Sequence, residues 1–356
     1  MITAEELAAR GEIGGRTVQI APGGEVECHA YPVAPLPAGM VRVRTAVSAL
    51  SPGTEMTYLG AQPTNPHLRQ RWDPELRLFQ SGGAAPPGPI VFGYRACGTV
   101  VESAYDDVPP GSRIFGKWRH TELTAIPAEV ARAQALPPEL DLDDGVDIAH
   151  MLPICVNAVA HAQERHAAMP VVVFGCGPVG LIVAQVARAT GAAVVYAVDR
   201  IASRLAIAEG LGLVPIDATR ADVAVRLKRD HGADGIPVVF ECTGSSVVLN
   251  EAVRTVRRRG LVVAVGFYQG EAAGLFLGNE FHHNGVEIRS GQIGNPPPDW
   301  TMDRLRAFGI DLARRRAVVL GGLPRARVSV QDAASAFALL ARPAEVLQVA
   351  LSYPEA

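Results

Sequence analysis

The chain reads as an α/β protein of two domains, a small antiparallel β barrel whose sequence is interrupted by a doubly wound parallel-sheet domain. Three observations predict this. Val171 to Arg200 spells a buried strand, a glycine turn, a helix and a second buried strand in succession. From Val171 to Gly266 short apolar strands alternate with helical segments, the pattern of a parallel sheet covered on both faces. Before Asp143, strand-like runs are instead separated by turns rich in glycine and proline.

Taken in order, Ala4 to Arg10 is a short amphipathic stretch, and Arg16-Thr17-Val18-Gln19-Ile20 is a strand. Met40 to Val47 is another, because Val41-Arg42-Val43-Arg44 alternates as a half-exposed strand does. Ala61 to Pro89 is polar and carries Pro63, Pro66, Pro74, Pro86, Pro87 and Pro89, which predicts a long surface excursion. Strands follow at Ile90 to Phe92, Gly98 to Ser103 and Arg113 to Phe115, and the texture from Asp143 to Ala162 is helical. Then come strand Val171 to Phe174, helix Leu181 to Thr190, strand Ala193 to Val198, helix Arg204 to Gly210 and strand Val214 to Ile216. Helix Ala221 to Arg229, strand Pro237 to Phe240, helix Val248 to Arg258 and strand Leu261 to Val265 complete the alternation. Pro296-Pro297-Pro298 breaks it, and helices Trp300 to Arg314 and Val330 to Leu340 with strand Val346 to Leu351 read as a return to the first domain. The expected boundaries are 1–151, 152–292 and 293–356.

A length of 356 residues is too great for one ordinary core. The formal charge of −3 carries no nucleic-acid or polyanion signal, and 48% hydrophobic against 19% charged residues describe a soluble globular protein. No segment approaches the roughly 18 consecutive apolar residues of a membrane span. The opening Met1-Ile2-Thr3-Ala4-Glu5-Glu6-Leu7 has acids where a signal peptide has basic and apolar residues. These features predict a cytoplasmic protein acting on a small molecule, with neither nucleic acid nor membrane as partner. Cys28, Cys97, Cys155, Cys176 and Cys242 stand singly, as reduced and mostly buried thiols.

Gly175-Cys176-Gly177-Pro178-Val179-Gly180 has G-x-G-x-x-G spacing between a strand and a helix. Such glycines permit a tight turn, close approach to a pyrophosphate, and close packing of helix on strand. Asp199 ends the second strand at about the 20-residue offset where a carboxylate accepts hydrogen bonds from an adenosine ribose. A carboxylate there repels a 2′-phosphate and binds a hydroxyl, which favours NAD over NADP. Arg200 and Arg204 stand beside it, and their guanidinium groups would partly offset that repulsion.

Further markers are Gly53-Thr54-Glu55, Gly93-Tyr94-Arg95-Ala96-Cys97-Gly98-Thr99-Val100, Gly111-Ser112-Arg113-Ile114 and Val239-Phe240-Glu241-Cys242-Thr243-Gly244. With the nucleotide turn they resemble the medium-chain dehydrogenase/reductase superfamily of zinc alcohol and polyol dehydrogenases, over nearly the whole chain. Ser51-Pro52-Gly53-Thr54-Glu55 is similar to the branch with bacteriochlorophyllide and cyclitol-type dehydrogenases. The resemblance implies a GroES-like β-barrel catalytic domain with an inserted Rossmann domain, and a homodimer paired through the edge of the nucleotide sheet. It also implies cofactor contacts from Gly175, Gly177, Pro178, Val179 and Gly180 at the phosphates and from Asp199 and Arg200 at the ribose, where the nearby Arg204 guanidinium is a further candidate. Thr243 and Gly244, then Gly266, Phe267, Ser290 and Gln292, would contact the rest of the cofactor.

Zinc members place a cysteine, a histidine and a third acid or cysteine where this chain has Pro52, Tyr94 and, by approximate alignment, Ile154. None of these replaces a thiolate or imidazole, and no cysteine lies between Cys97 and Cys155 to build a structural zinc lobe. The expectation is therefore a protein without zinc. Tyr94, at the place of the lost histidine, and Thr54, matching the hydroxyl that begins the relatives' proton relay, are the candidate proton donors. His120, in Trp118-Arg119-His120-Thr121, is the alternative general acid/base, and Tyr94 would otherwise be a buried aromatic that fills the vacated site. Glu55 and Arg95 are expected to form a buried neutral pair.

The predicted function is zinc-independent, NAD-dependent interconversion of a secondary alcohol and a ketone, on a sugar, cyclitol or polyol-like biosynthetic intermediate. One alternative keeps the fold and reduces an enone or quinone with NADPH; another binds NAD as a sensor or scaffold without turnover. Substrate-contacting walls are expected from Met56, Tyr58, the proline-rich excursion and Asn295 to Trp300, with Arg69, Arg71, Trp72 and Arg77 nearby.

Overall fold

Val171-Val172-Val173-Phe174 has no polar face to show to water, and in the computed structural model it lies within the strand Pro170–Phe174, which has a strand on either side. The structure describes residues 14–59, 68, 70–82 and 88–354, the side chains of Gln163 and Glu164 excepted. Ala4 to Arg10, Arg69 and parts of the proline-rich excursion lie outside the described residues. The chain divides into two units, Met151–Leu323 and Met1–His150 with Pro324–Ala356.

In Met151–Leu323 six strands run parallel, in the order Val214–Asp217, Val194–Asp199, Pro170–Phe174, Val238–Glu241, Leu261–Ala264 and Glu287–Ser290. Val172 lies opposite Tyr196 on one side and Val239 on the other. This is the doubly wound order, with its direction reversing between Pro170–Phe174 and Val238–Glu241, where a crevice opens at the carboxyl ends of the strands. Both faces are covered by helices, so the central strands are continuous apolar runs. Phe174, Val198, Leu227, Val239, Val253 and Val262 share one core. Burial of each such side chain contributes about 1.5–3 kcal/mol.

Glu287–Ser290 is a strand that the sequence pattern does not reveal. Its residues Glu287-Ile288-Arg289-Ser290 are half-buried or exposed, as suits the last strand of the sheet, and only Ile288 packs on the core. The expected return at 293 also needs correction, because the helix Met302–Arg314 packs against the helix Met151–Ala160. Leu305, Leu312 and Ala313 bury its apolar face, and a Cβ on Gly309 would lie 2.8 Å from Leu152 Cγ. Residues 293–323 therefore belong with the parallel sheet, and the return begins at Pro324.

The other unit is built on the strand Met40–Ala49, which pairs antiparallel with Ala96–Glu102, Leu123–Pro127 and Gln348–Ser352. Val41, Val43 and Val47 are buried while Arg42 and Arg44 between them are half-buried, the two-residue period of a strand. A smaller sheet joins Val26–Pro32, Gly14–Ile20 and Ile90–Val91. Within the proline-rich excursion, Gln70–Asp73 and Leu78–Ser81 form a hairpin with Trp72 edge-on to Phe79. The barrel is not wholly antiparallel: Arg325–Ser329 and Gln348–Ser352 run parallel. The helix Ala333–Leu340 supplies the crossover that a parallel pair requires.

The helical stretch expected from Asp143 to Ala162 is broken. Asp141 and Asp144 cap the helix Leu142–Ile148 reciprocally, and a turn at Ala149-His150 separates it from Met151–Ala160. Asp147 on the first of these helices is fully buried. It holds Arg95 Nη1 at 3.0 Å and Arg325 Nη2 at 2.7 Å, and Arg325 also reaches Asp143 at 2.7 Å. Burial pushes the Asp147 carboxyl up, and the two arginine charges pull it down. No helix among the described residues is long and apolar enough to cross a membrane.

Removing one partner from a buried ion pair leaves uncompensated charge, which costs about 3–5 kcal/mol. Asp147→Ala is expected to lower the urea-derived stability by that amount, since both guanidinium groups lose their shared acceptor. A loss below about 1 kcal/mol, the range of exposed pairs, would show that water replaces the carboxylate.

Candidate functional site

The nucleotide turn follows the central strand directly. Gly175 has φ +94°, a conformation that L side chains rarely adopt, and a Cβ there would lie 2.7 Å from Thr243 Cγ2. A Cβ on Gly180 would lie 1.7 Å from the carbonyl oxygen of Gly175, so only glycine lets the helix begin this close to the strand. Gly177 caps the helix Pro178–Ala189, with Pro178 in the first turn. The first amides of a helix lack intrahelical partners, and Pro178 has no N–H. The amides of Val179 and Gly180 therefore favour an anion, reinforced by the helix dipole.

Asp199 is placed beside this turn and serves it. Its Oδ2 accepts from the Cys176 amide at 2.7 Å, while Oδ1 accepts from the amides of Arg200 at 2.7 Å and Ile201 at 2.9 Å. A carboxylate offers about four acceptor positions, so one on Oδ2 stays open to a ribose hydroxyl. Arg204 Nη1 stands 4.0 Å from Oδ2 and is held near Gly177, whereas Arg200 is exposed.

The loops after the next strands meet each other closely. A Cβ on Gly266 would lie 2.1 Å from the Gly244 nitrogen, and one on Gly244 would lie 2.8 Å from the Phe267 oxygen. Thr243 and Phe267 are exposed at this edge. Ser290 and Gln292 are exposed one strand further on, and the backbone there is anchored by Asn157. Its Nδ2 donates to the carbonyls of Gly291 at 3.0 Å and Gln292 at 3.3 Å. Asn157 has no local signature as a site residue, and the buried Glu241 described below is visible in the sequence only as one member of the marker Val239 to Gly244.

In the barrel unit, Tyr94 lies between the strands Ile90–Val91 and Ala96–Glu102, and Thr54 precedes the short helix Glu55–Tyr58. The structure brings these two together. Burial pushes the Tyr94 phenol up, the Glu55 charge adds to that, and interaction with Arg95 and the hydroxyls of Ser51 and Thr54 opposes it.

His120 is placed differently from a general acid/base. It is fully buried, with Nε2 3.2 Å from Glu55 Oε1 and Nδ1 2.7 Å from Ser48 Oγ, which in turn lies 2.7 Å from the Tyr353 hydroxyl. Both ring nitrogens are occupied and the side chain has no exposed surface, so His120 is a buried link between Glu55 and Ser48. The expected Glu55 and Arg95 pairing is also replaced, with Glu55 against His120 and Arg95 against Asp147.

His150 carries no motif in the sequence that marks it as a site residue. Its ring meets Tyr94 edge-on at 5.0 Å between centroids, and its Nδ1 is buried without a hydrogen-bond partner. Its position in the turn between two helices is decided by their break.

Zinc takes thiolate, imidazole or carboxylate ligands. Pro52 has no donor, Ile154 is a hydrocarbon, and the Tyr94 phenol is held in its neutral form. Among the described residues no group of three or more His, Cys, Asp or Glu side chains is arranged to hold a metal ion. Cys97 donates to the Ile114 carbonyl at 3.2 Å, and burial pushes its thiol up to about 12. The residues at these places do not fit a zinc ion.

Burial, followed by the charges of Lys117 and Arg95, lowers the His150 imidazole to about 4. An unfolded histidine titrates near about 6.5, so between these values the unfolded chain binds the extra proton. Stability present above pH about 6.5 is therefore lost as pH falls toward about 4. His150→Phe is expected to flatten this part of the urea-midpoint profile; identical slopes would show that the folded imidazole titrates as freely as the unfolded one.

The family profile described as zinc-binding dehydrogenase matches residues 178–305. The chain is similar to (R,R)-butanediol dehydrogenase of Bacillus subtilis, 32% identical over 43% of this chain and 42% of that protein. It is similar to L-galactonate-5-dehydrogenase of Escherichia coli, 33% identical over 47% of this chain and 49% of that protein. These two alignments thus span about half the length of the relatives. A longer one, to D-guloside 3-dehydrogenase of Escherichia coli, has 29% identity over 75% of this chain and 79% of that protein. In fold, galactitol-1-phosphate dehydrogenase from Escherichia coli is similar at a TM-score of 0.71, with 19% identity over 95% of this chain and 99% of that one.

Proposed function

The chain belongs to the zinc-type alcohol and polyol dehydrogenase-like superfamily, and on that premise we propose that it interconverts a secondary alcohol and a ketone with NAD, without a catalytic zinc ion. The observation that carries the nucleotide half of this reading is the convergence of Gly175, Gly180 and Asp199 at the carboxyl end of the parallel sheet. Val179 and Gly180 would hold the pyrophosphate and Asp199 the ribose, its charge disfavouring a 2′-phosphate. Relatives named for butanediol, galactonate and guloside support a polyol or sugar-like substrate.

When bound, the nicotinamide supplies the hydride acceptor or donor. The chain's part is to hold the substrate oxygen and its proton, since the places of the zinc ligands hold Pro52, Tyr94 and Ile154. Burial and the Glu55 charge keep the Tyr94 phenol protonated, as a hydrogen-bond donor must be. Tyr94 would give its proton to the substrate oxygen when the ketone is reduced and be reprotonated from solvent, and would take that proton back through a phenolate when the alcohol is oxidised; Thr54 shares that hydrogen bonding, and His120 holds Glu55 in place.

Fluorescence titration should show NADH binding at least about tenfold tighter than NADPH, the effect of about 1.4 kcal/mol of repulsion. A preference for NADPH would mean that Arg200 and Arg204 outweigh Asp199 and would overturn the NAD assignment. On a panel of polyols, Tyr94→Phe should lower turnover by about tenfold or more while leaving NADH affinity unchanged. Unchanged turnover would remove Tyr94 from the chemistry.

A further inference from the structure

Glu241 ends the strand Val238–Glu241 with no exposed surface, although its neighbours in that strand are all apolar. Taking a carboxylate out of water costs several kcal/mol unless donors replace the lost water. Here four donors do. Oε1 accepts from the amide of Thr243 at 2.7 Å and from its hydroxyl; Oε2 accepts from the amide of Gly244 at 3.1 Å and from the hydroxyl of Tyr268. These fill the roughly four acceptor positions of a carboxylate.

The donors come from two different loops. Thr243 and Gly244 follow the strand that Glu241 ends, and Tyr268 follows the neighbouring strand Leu261–Ala264. The main-chain carbonyl of Glu241 also accepts from the amides of Val265 at 2.8 Å and Gly266 at 3.0 Å. One residue therefore fastens both loops, at the point where Gly244 and Gly266 leave no space for a side chain. In the doubly wound order these loops stand across the switch point from Asp199, on the half of the sheet that takes the second mononucleotide of a dinucleotide.

We infer that Glu241 and Tyr268 are positioning residues for the nicotinamide half of the cofactor, with the buried carboxylate setting the spacing of the two loops and the phenol latching the later loop to it. This rests on the dinucleotide reading above. Glu241 is enclosed, so it acts through Thr243, Gly244 and the backbone around Phe267. A buried apolar residue in its place would satisfy none of the four donors, and the loops would lose their common anchor.

The test compares two probes on the full chain: NADH, and ADP-ribose, which lacks the nicotinamide. Measured by fluorescence and calorimetry, Tyr268→Phe is expected to weaken NADH about tenfold to a hundredfold, the range for a hydrogen bond to a charged group. ADP-ribose affinity should stay within about twofold. Glu241→Gln turns one acceptor oxygen into a donor and should give the same split, more strongly. Circular dichroism establishes folding, and if the Gln variant does not fold, the Phe variant alone decides. An equal loss for both probes would show general loosening of the sheet edge, and unchanged NADH affinity would show that the latch positions nothing; either overturns the inference. Wild-type protein that binds neither probe would instead sink the dinucleotide reading, and the latch with it.

Discussion

The carboxyl edge of the parallel sheet leaves no room for side chains on its turns, and much of the nucleotide unit depends on that constraint. With a Cβ of Gly180 placed 1.7 Å from the Gly175 oxygen, any other residue would push the helix Pro178–Ala189 away from the strand. The free first-turn amides would move with it. The same crowding recurs between Gly244 and Gly266, where the nearest atoms are backbone, so those two neighbouring loops are set against one another by backbone contact, while Gly175 faces the Thr243 methyl group. Such contact is stiff in a way that side-chain packing is not, because no rotamer can relax it.

Both units place polar groups in their interiors, and in each case the group joins segments distant in the chain. Asp147 gathers Arg95 and Arg325, Glu241 gathers the loops around Thr243 and Tyr268, and Glu55 with His120 and Ser48 ties the Thr54 turn to the barrel. A hydrophobic residue would stabilise each position more cheaply, since desolvation offsets most of the attraction in a buried ion pair. Directionality is what an apolar contact lacks. Four donors converging on one carboxylate define the position of each loop in a way that apolar burial does not.

On the proposed reading, the Tyr94 hydroxyl stands in the barrel unit where the family resemblance implies a metal ligand. A metal withdraws electrons from a substrate oxygen through its charge, whereas a phenol does so through a hydrogen bond and must stay protonated. The surroundings of Tyr94 favour that state: burial penalises the phenolate, and the Glu55 carboxylate adds repulsion. His150 beside it stays neutral for the complementary reason, that burial penalises the imidazolium.

The sequence by itself determined what local pattern encodes. Apolar runs between turns located five of the six strands of the parallel sheet, the glycine spacing located the turn between Pro170–Phe174 and its helix, and Pro52, Tyr94 and Ile154 carry the expectation of a site without zinc. Tertiary structure decided what no window of residues contains. Glu287–Ser290 is a strand because Leu261–Ala264 offers it an edge, not because its own pattern demands one. Met302–Arg314 shows an amphipathic face that two domains would have accommodated equally, and only the surface of Met151–Ala160 assigns it. Arg325 lies 178 residues from Asp147, and Tyr268 lies 27 from Glu241 across a helix and a strand. Periodicity records which face of an element is buried, but the identity of the group it meets there depends on how the chain returns, and that is a property of the fold.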